Sequence, residues 1–263
     1  MSKITIIGGG NMGEAIIKGL SGQMVYLCEP NIARQRYLKG KYRVTPSSIK
    51  EAVAVSSAIV LAVKPQDMAG VLAEVKSSFS ATGNRIFISI AAGLTTAFFE
   101  RHLGVKPKIV RAMPNMPALI GEGITGLCAG KYAKPADLKS AQDILGSVGK
   151  TVIVKESMMD AVTAVSGSGP AYLFLFVELW MGAAKSLGFS AKEARALVYK
   201  TLLGSAHLLE KSEFDAAALR AKVTSKGGTT QAAMDIFSKD RQFEVLMKKA
   251  LLAAKKRAGE LAK

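Results

Sequence analysis

Two segments of this chain carry residue types suited to binding chemistry, and they lie near its opposite ends. Close to the C-terminus, Val223-Thr224-Ser225-Lys226-Gly227-Gly228-Thr229-Thr230-Gln231-Ala232-Ala233-Met234 sets hydroxyls and glycines directly ahead of an apolar helical stretch, with no carboxylate among them. Backbone N–H groups and hydroxyls that converge at a helix start, where the dipole favours negative charge, form a cradle for a small anion. Ser225, Gly227, Gly228, Thr229 and Thr230 are the candidate holders of a substrate carboxylate.

The other segment is Gly8-Gly9-Gly10-Asn11-Met12-Gly13, which follows the apolar strand pattern Lys3-Ile4-Thr5-Ile6-Ile7 and precedes a helix-like stretch from Glu14 to Leu20. Gly8, Gly10 and Gly13 stand at the G-x-G-x-x-G positions, in the strand, turn and helix context that gives this motif its meaning. Glycine permits the turn and lets a pyrophosphate approach the backbone, while Asn11 and Met12 open the helix that supplies amide donors. The structural alternative is a glycine turn that only packs a helix on a sheet.

Four later strand ends offer partners to such a site. Glu29 closes the second apolar run, where a carboxylate bonds the ribose hydroxyls of NAD and repels the extra phosphate of NADP. Asn31, Arg34 and Arg36 follow at once, and a guanidinium offsets that repulsion, so NADH and NADPH both stay open. Ala62-Val63-Lys64-Pro65 follows the third run; Lys64 either faces the cofactor or is a loop lysine that Pro65 happens to follow. Ala91 and Ala92, in Ser89-Ile90-Ala91-Ala92-Gly93, are small enough to admit a nicotinamide, and Asn115, in Met113-Pro114-Asn115-Met116-Pro117, has a donor and an acceptor for its carboxamide.

The elements that must position these residues alternate. Strand patterns at 4–7, 24–28, 59–63, 85–90 and 108–111 are separated by helical patterns at 12–20, 32–39, 48–55, 68–77 and 95–103, which predicts a parallel sheet covered on both faces. Runs at 125–129 and 151–154, flanking a helix at 136–145, extend it. Beyond about residue 156 every pattern is helical: 158–187 with a bend near Gly169-Pro170, a helix opened by the Ser190/Glu193 capping box and reaching about Leu209, then 213–222, 229–237 and 240–261. The expected architecture is an α/β Rossmann-like N-terminal domain, residues 1–156, with a predominantly parallel sheet, followed by an all-α domain, residues 157–263, for substrate binding and dimerisation.

Composition narrows the class. The chain has 263 residues, 49% of them hydrophobic, enough for a sizeable core. Its first residues run straight into a strand, so no cleavable leader is expected. The apolar run 171–184 contains Glu178 and is shorter than the ~20 residues of a membrane span, so no membrane partner is expected and a homodimer face is. Cys28 and Cys128 lie in apolar strand patterns, and neither these nor His102 and His207 have metal-ligand spacing; a reduced, cytoplasmic protein without a metal is the simplest reading. The net charge of +16 raises nucleic-acid binding, but Lys and Arg are spread widely, and the dense stretch 248–257 is interleaved with Ala and Leu as on a solvated helix face.

Taken together, Gly8 to Gly13, Ala62-Val63-Lys64-Pro65, Arg111-Ala112-Met113-Pro114-Asn115 with Gly121-Glu122-Gly123, Ser166-Gly167-Ser168-Gly169-Pro170-Ala171 and Val223 to Thr230 resemble the pyrroline-5-carboxylate reductases along essentially the full chain. The resemblance implies an NAD(P)H-dependent oxidoreductase that reduces 1-pyrroline-5-carboxylate to L-proline, the last step of proline biosynthesis. It also implies a dimerising C-terminal domain and rings of dimers. By position it implies that Thr229 and Thr230, with the amides around Gly228, hold the substrate carboxylate, that Thr230 lies near the imine nitrogen as the catalytic residue, and that Glu213 lies near the same site. Two departures stand out: Lys226 replaces a usual proline, and Glu29 replaces a small hydroxyl residue. The rival readings are a hydroxyacid-dehydrogenase-type reductase of another imine or keto acid, and a basic DNA-binding or dinucleotide-sensing protein.

Overall fold

Successive residues of β1 (Lys3–Ile7) serve opposite faces: Ile4 and Ile6 enter one core, Ile7 the other. A strand buried on both faces must be apolar or have its polar groups satisfied, as Thr5 is by Ser56 at 2.7 Å, which is why it reads as a nearly continuous apolar run and not an alternation. The computed structural model describes residues 3–78, 85–104 and 106–261. Its sheet continues with β2 (Met24–Cys28), β3 (Thr45–Pro46), β4 (Ala58–Leu61), β5 (Ile86–Ser89), β6 (Lys108–Met113), β7 (Gly123–Ala129) and β8 (Gly149–Ile153), in the spatial order β3-β2-β1-β4-β5-β6-β7-β8.

Helices α1 (Asn11–Gly19), α2 (Ile32–Tyr42), α3 (Ile49–Val55), α4 (Met68–Ser77), α5 (Thr96–Leu103) and α6 (Pro135–Gly146) cover this sheet. On one face Ile16, Ile17, Leu38 and Leu145 pack on Ile6, Leu27, Val60 and Val110; on the other Ala52, Leu72 and Phe99 pack on Ile7, Ile59, Leu61 and Ile109. Each fully buried Ile, Leu or Phe contributes about 1.5–3 kcal/mol. Local signals set the starts of several helices, as in the Ser48/Glu51 capping box of α3 and the Thr95 hydroxyl, which accepts the Phe98 amide ahead of α5.

The sheet departs from the expected pattern at two places. β7 runs antiparallel to β6, because the link 114–122 holds only a short 3-10 turn and is too brief for a parallel crossover. β3 has two residues, too few to leave a periodic trace.

The helical part comprises α7 (Met159–Val162), α8 (Gly169–Ser186), α9 (Ala191–Lys211), α10 (Ala216–Lys222), α11 (Thr229–Ser238) and α12 (Gln242–Glu260). A π turn at Thr163–Gly167, ahead of Gly169 and Pro170, interrupts the first long run. The expected helix from 213 begins at Ala216, with the Asp215 carboxylate accepting the Ala218 amide, so Glu213 lies in the preceding turn.

Compactness divides the chain into one unit holding residues up to Pro170 and those from Ala253 onward, and a second of Ala171–Leu252. The reason is packing. Val162 of α7 fills the space over Gly126 of β7, where a Cβ would lie 2.6 Å from its Cγ1, and Leu261 lies against Gly93. The segment from 157 to 170 and the chain end therefore pack with the sheet.

The second unit has a small buried core of Val177, Ala184, Ala194 and Val198, while Leu173, Phe174, Leu175, Phe176, Leu179 and Trp180 of α8 are exposed. The continuous run Glu156–Ser186, 31 residues, is long and apolar enough to cross a membrane by length and composition. The shorter span expected from sequence counted only 171–184; helical continuity through the π turn lengthens it.

Candidate active site

The sheet order reverses between β1 and β4, and in such sheets ligands bind in the crevice beyond the carboxyl ends of the strands at that point. β1 leads there into Gly8, whose φ of +104° only glycine adopts without strain. A Cβ on Gly8 would lie 2.6 Å from the Ala62 carbonyl oxygen, so the loop after β1 is pressed against the end of β4. A Cβ on Gly13 would overlap the Gly8 carbonyl oxygen, which fixes α1 close beneath the turn. Gly10 differs: a Cβ there meets nothing within 4 Å, and as the N-cap of α1 it gives the helix no side-chain cap. The result is an open helix start with uncapped amides at exposed Asn11 and half-buried Met12, which fits a dinucleotide pyrophosphate.

The Gly9 peptide is held from both sides. Its N–H donates to Glu29 Oε2 at 2.7 Å, and its carbonyl accepts from Arg34 Nε at 2.6 Å. Glu29 Oε1 also accepts the Asn31 amide at 2.8 Å. Thus Glu29 stands at the end of β2, as expected for a ribose reader, and also splints the glycine loop. Arg34 donates further to Glu14 Oε2 at 2.5 Å, and Glu14 Oε1 receives Tyr42 at 2.8 Å and Lys41 at 3.1 Å. Burial pushes the Glu14 carboxyl up, but the bonds from Tyr42, Lys41 and Arg34 outweigh it and hold the pKa down at about 2. In the sequence Arg34 stands out only as a charge and Glu14 not at all, since their spacing of 20 positions carries no local signal.

Ala62 and Val63 lie half-buried at the β4 end beside Gly8, while Lys64 and Pro65 are exposed, Lys64 preceding the 3-10 turn Pro65–Asp67. Ala91 is buried and Ala92 half-buried beyond β5, the Ala91 amide donating to Ser89 Oγ at 3.3 Å. Asn115 is buried, and its Oδ1 accepts the Ile124 amide at 2.9 Å, which ties the β6 end to β7. Its acceptor is committed to the backbone, so the Nδ2 donor is what it has to offer a ligand. Nearby, Arg111 is 4% exposed and pairs with Glu156 at 3.7 Å and Asp160 at 3.3 Å. Burial pushes the thiols of Cys28 and Cys128 up to about 12, so neither is a nucleophile near neutral pH.

The anion cradle lies in the second unit. Gly227 has φ +71°, the Gly228 amide donates to the Ser225 carbonyl at 3.0 Å, and a Cβ on Gly228 would lie 2.5 Å from Ser225 Oγ. Gly228 is the N-cap of α11 without a side-chain cap, which leaves Thr229 and half-buried Thr230 in an open first turn. Ser225, Lys226 and Gly227 are exposed, as is Glu213 in the turn before α10.

Two family models match: pyrroline-5-carboxylate reductase dimerisation over residues 156–261, and NADP oxidoreductase coenzyme F420-dependent over residues 3–93. The chain is similar to the pyrroline-5-carboxylate reductase of Mycobacterium tuberculosis, with 39% identity covering 99% of this chain and 97% of that one. The solved pyrroline-5-carboxylate reductase of Coxiella burnetii superposes with a TM-score of 0.93 at 36% identity, covering 100% of this chain and 99% of the other. That of Plasmodium falciparum, solved with NADP bound, gives a TM-score of 0.86 at 31% identity, covering 100% and 98%. With this identity over nearly the full length of both chains, the chain belongs to the pyrroline-5-carboxylate reductase family.

Proposed function

We propose that the chain reduces 1-pyrroline-5-carboxylate to L-proline with NAD(P)H, closing proline biosynthesis, and that the two open helix starts divide the binding. The observation that carries the division is the pair of uncapped, glycine-preceded helices, α1 and α11, one in each compact unit. Residues 1–156 take the dinucleotide through Gly8, Gly10, Asn11, Met12, Gly13, Glu29, Ala62, Val63, Lys64, Pro65, Ala91, Ala92 and Asn115. Residues 157–263 take the substrate, with Ser225, Gly227, Gly228, Thr229 and Thr230 on its carboxylate and Glu213 nearby.

The nucleotide supplies a hydride. A protonated cyclic imine is already electrophilic, so the task of the chain's residues is orientation, which can lower a barrier by about 7–11 kcal/mol. The amides opening α11 and the Thr229 hydroxyl fix the carboxylate, and the Thr230 hydroxyl orients the ring nitrogen. The α1 amides anchor the pyrophosphate, and Ala91 and Ala92 leave room for the nicotinamide.

The apolar face of α8 is covered by a second copy, not by lipid, and the dimers close into a ring in the cytoplasm; nucleic acid has no part. Support for self-association comes from the dimerisation family's match over 156–261 and from Leu173, Phe174, Leu175 and Leu179 on the surface. The test is oxidation of NADH and NADPH in parallel with pyrroline-5-carboxylate, with proline quantified. Turnover of an open-chain keto acid in place of the cyclic imine contradicts the reading.

A further inference from the structure

The sequence places a carboxylate that disfavours a ribose 2′-phosphate, Glu29, only a few positions from a guanidinium that favours one, Arg34. The fold decides between them. Arg34 points its Nε at the Gly9 carbonyl and its terminal nitrogen at Glu14, which is 18% exposed and also gathers Tyr42 and Lys41. Glu29 stands on the other face of the same Gly9 peptide, its two oxygens oriented by the Gly9 and Asn31 amides. Each carboxylate oxygen retains acceptor capacity, which suits ribose hydroxyls as donors.

We propose that Glu14 is a specificity-determining residue: it draws Arg34 onto itself and the glycine loop, so that Glu29 faces the adenosine ribose without the Arg34 guanidinium to compensate it and the chain selects NADH over NADPH. The proposal rests on the dinucleotide reading of this site. Glu14 acts through Arg34, as a positioning residue. It stays ionised at every working pH because the hydrogen bonds of Tyr42, Lys41 and Arg34 hold its carboxyl low. The guanidinium is therefore neutralised by a permanent partner, and Lys41, also on α2, shares that partner at 3.1 Å.

The experiment is calorimetric titration of the purified full chain with 5′-ADP and with 2′,5′-ADP, which compares the ribose with and without its phosphate independently of turnover. The wild-type chain binds 5′-ADP more tightly. Glu14→Gln shifts the ratio of the two dissociation constants toward 2′,5′-ADP by about 3- to 10-fold, the scale of one partly exposed charge pair. Arg34→Gln alone leaves the ratio near wild type, and Glu14→Gln/Arg34→Gln returns it there, a coupling that general loosening of α1 against α2 does not produce. Glu29→Gln, which keeps its shape, shifts the ratio the same way and serves if Glu14→Gln does not fold. Tighter binding of 2′,5′-ADP by the wild type, or no shift in either single carboxylate variant, overturns the proposal while leaving the dinucleotide site intact. Binding of neither nucleotide overturns both.

Discussion

Gly13 faces Gly8 so closely that the Gly8 carbonyl oxygen occupies the place a Gly13 Cβ would take, whereas the Cβ position of Gly10 is empty space. Two glycines of one motif thus differ: packing requires Gly13, whereas at Gly10 only the proposed dinucleotide site gives glycine a role. Gly13→Ala forces α1 away from the turn and costs about 1–3 kcal/mol, seen as a lower urea midpoint. Gly10→Ala changes stability by no more than about 1 kcal/mol, yet weakens NADH binding in a fluorescence titration at least about tenfold, since the methyl sits where the pyrophosphate must. Equal losses of stability in the two variants would refute this division.

Glu156 joins three elements. Its carboxylate accepts the Thr96 amide at 2.6 Å and the Thr96 hydroxyl at 2.7 Å, at the start of α5, and it faces buried Arg111 at 3.7 Å. Glu156→Ala leaves the Thr96 amide and hydroxyl at the α5 start without their acceptor, Thr95 still capping Phe98, and one buried charge with Asp160 alone, a loss of about 2–4 kcal/mol in urea unfolding. A change under about 1 kcal/mol shows that Asp160 suffices.

Much of this was readable beforehand, for reasons that can be named. Strands buried on both faces leave apolar runs, so β1, β2, β4, β5 and β6 were legible within a few residues, and the Ser190/Glu193 box marked the start of α9. The antiparallel β7 was legible in principle from the shortness of the link 114–122, a signal that apolar patterning alone does not carry. The chain's division at Pro170 was not, because it depends on Val162 packing over Gly126, a long-range contact without a periodic trace. At the site, the G-x-G-x-x-G spacing marked the tight turn that Gly8 and Gly13 make. The clamp of Glu29 and Arg34 on Gly9 left no such mark, nor did the commitment of the Asn115 acceptor to Ile124, since sequence names a donor and an acceptor without saying which is already used.

Glu14 makes acid stability depend on its partners. Its folded pKa, about 2, lies below the ordinary value of 4.5, so its contribution is present in full above about pH 4.5 and is lost as the pH falls through about 2. Glu14→Gln removes that dependence: the stability gap between wild type and variant, on the order of 1–3 kcal/mol at pH 6, narrows steadily between pH 4.5 and 2. Urea midpoints measured across this range check it, and a gap independent of pH contradicts the assignment.

Thr230 is half-buried in the first turn of α11, where its hydroxyl adds nothing the helix requires. Thr230→Ala lowers kcat/KM for pyrroline-5-carboxylate by about 10- to 100-fold with an unchanged melting temperature, and Thr230→Ser restores most of it. Unchanged catalytic efficiency in the alanine variant argues against an orienting role.

Hydride transfer to a cyclic imine leaves an isotopic record in the product. Pyrroline-5-carboxylate is incubated with the protein and NADH dideuterated at C4, and the proline formed is analysed by mass spectrometry. Proline carrying one deuterium, on the ring carbon formerly double-bonded to nitrogen, is the expected product. Proline without the label, or NADH consumed only when an open-chain keto acid is supplied, contradicts hydride transfer to the imine.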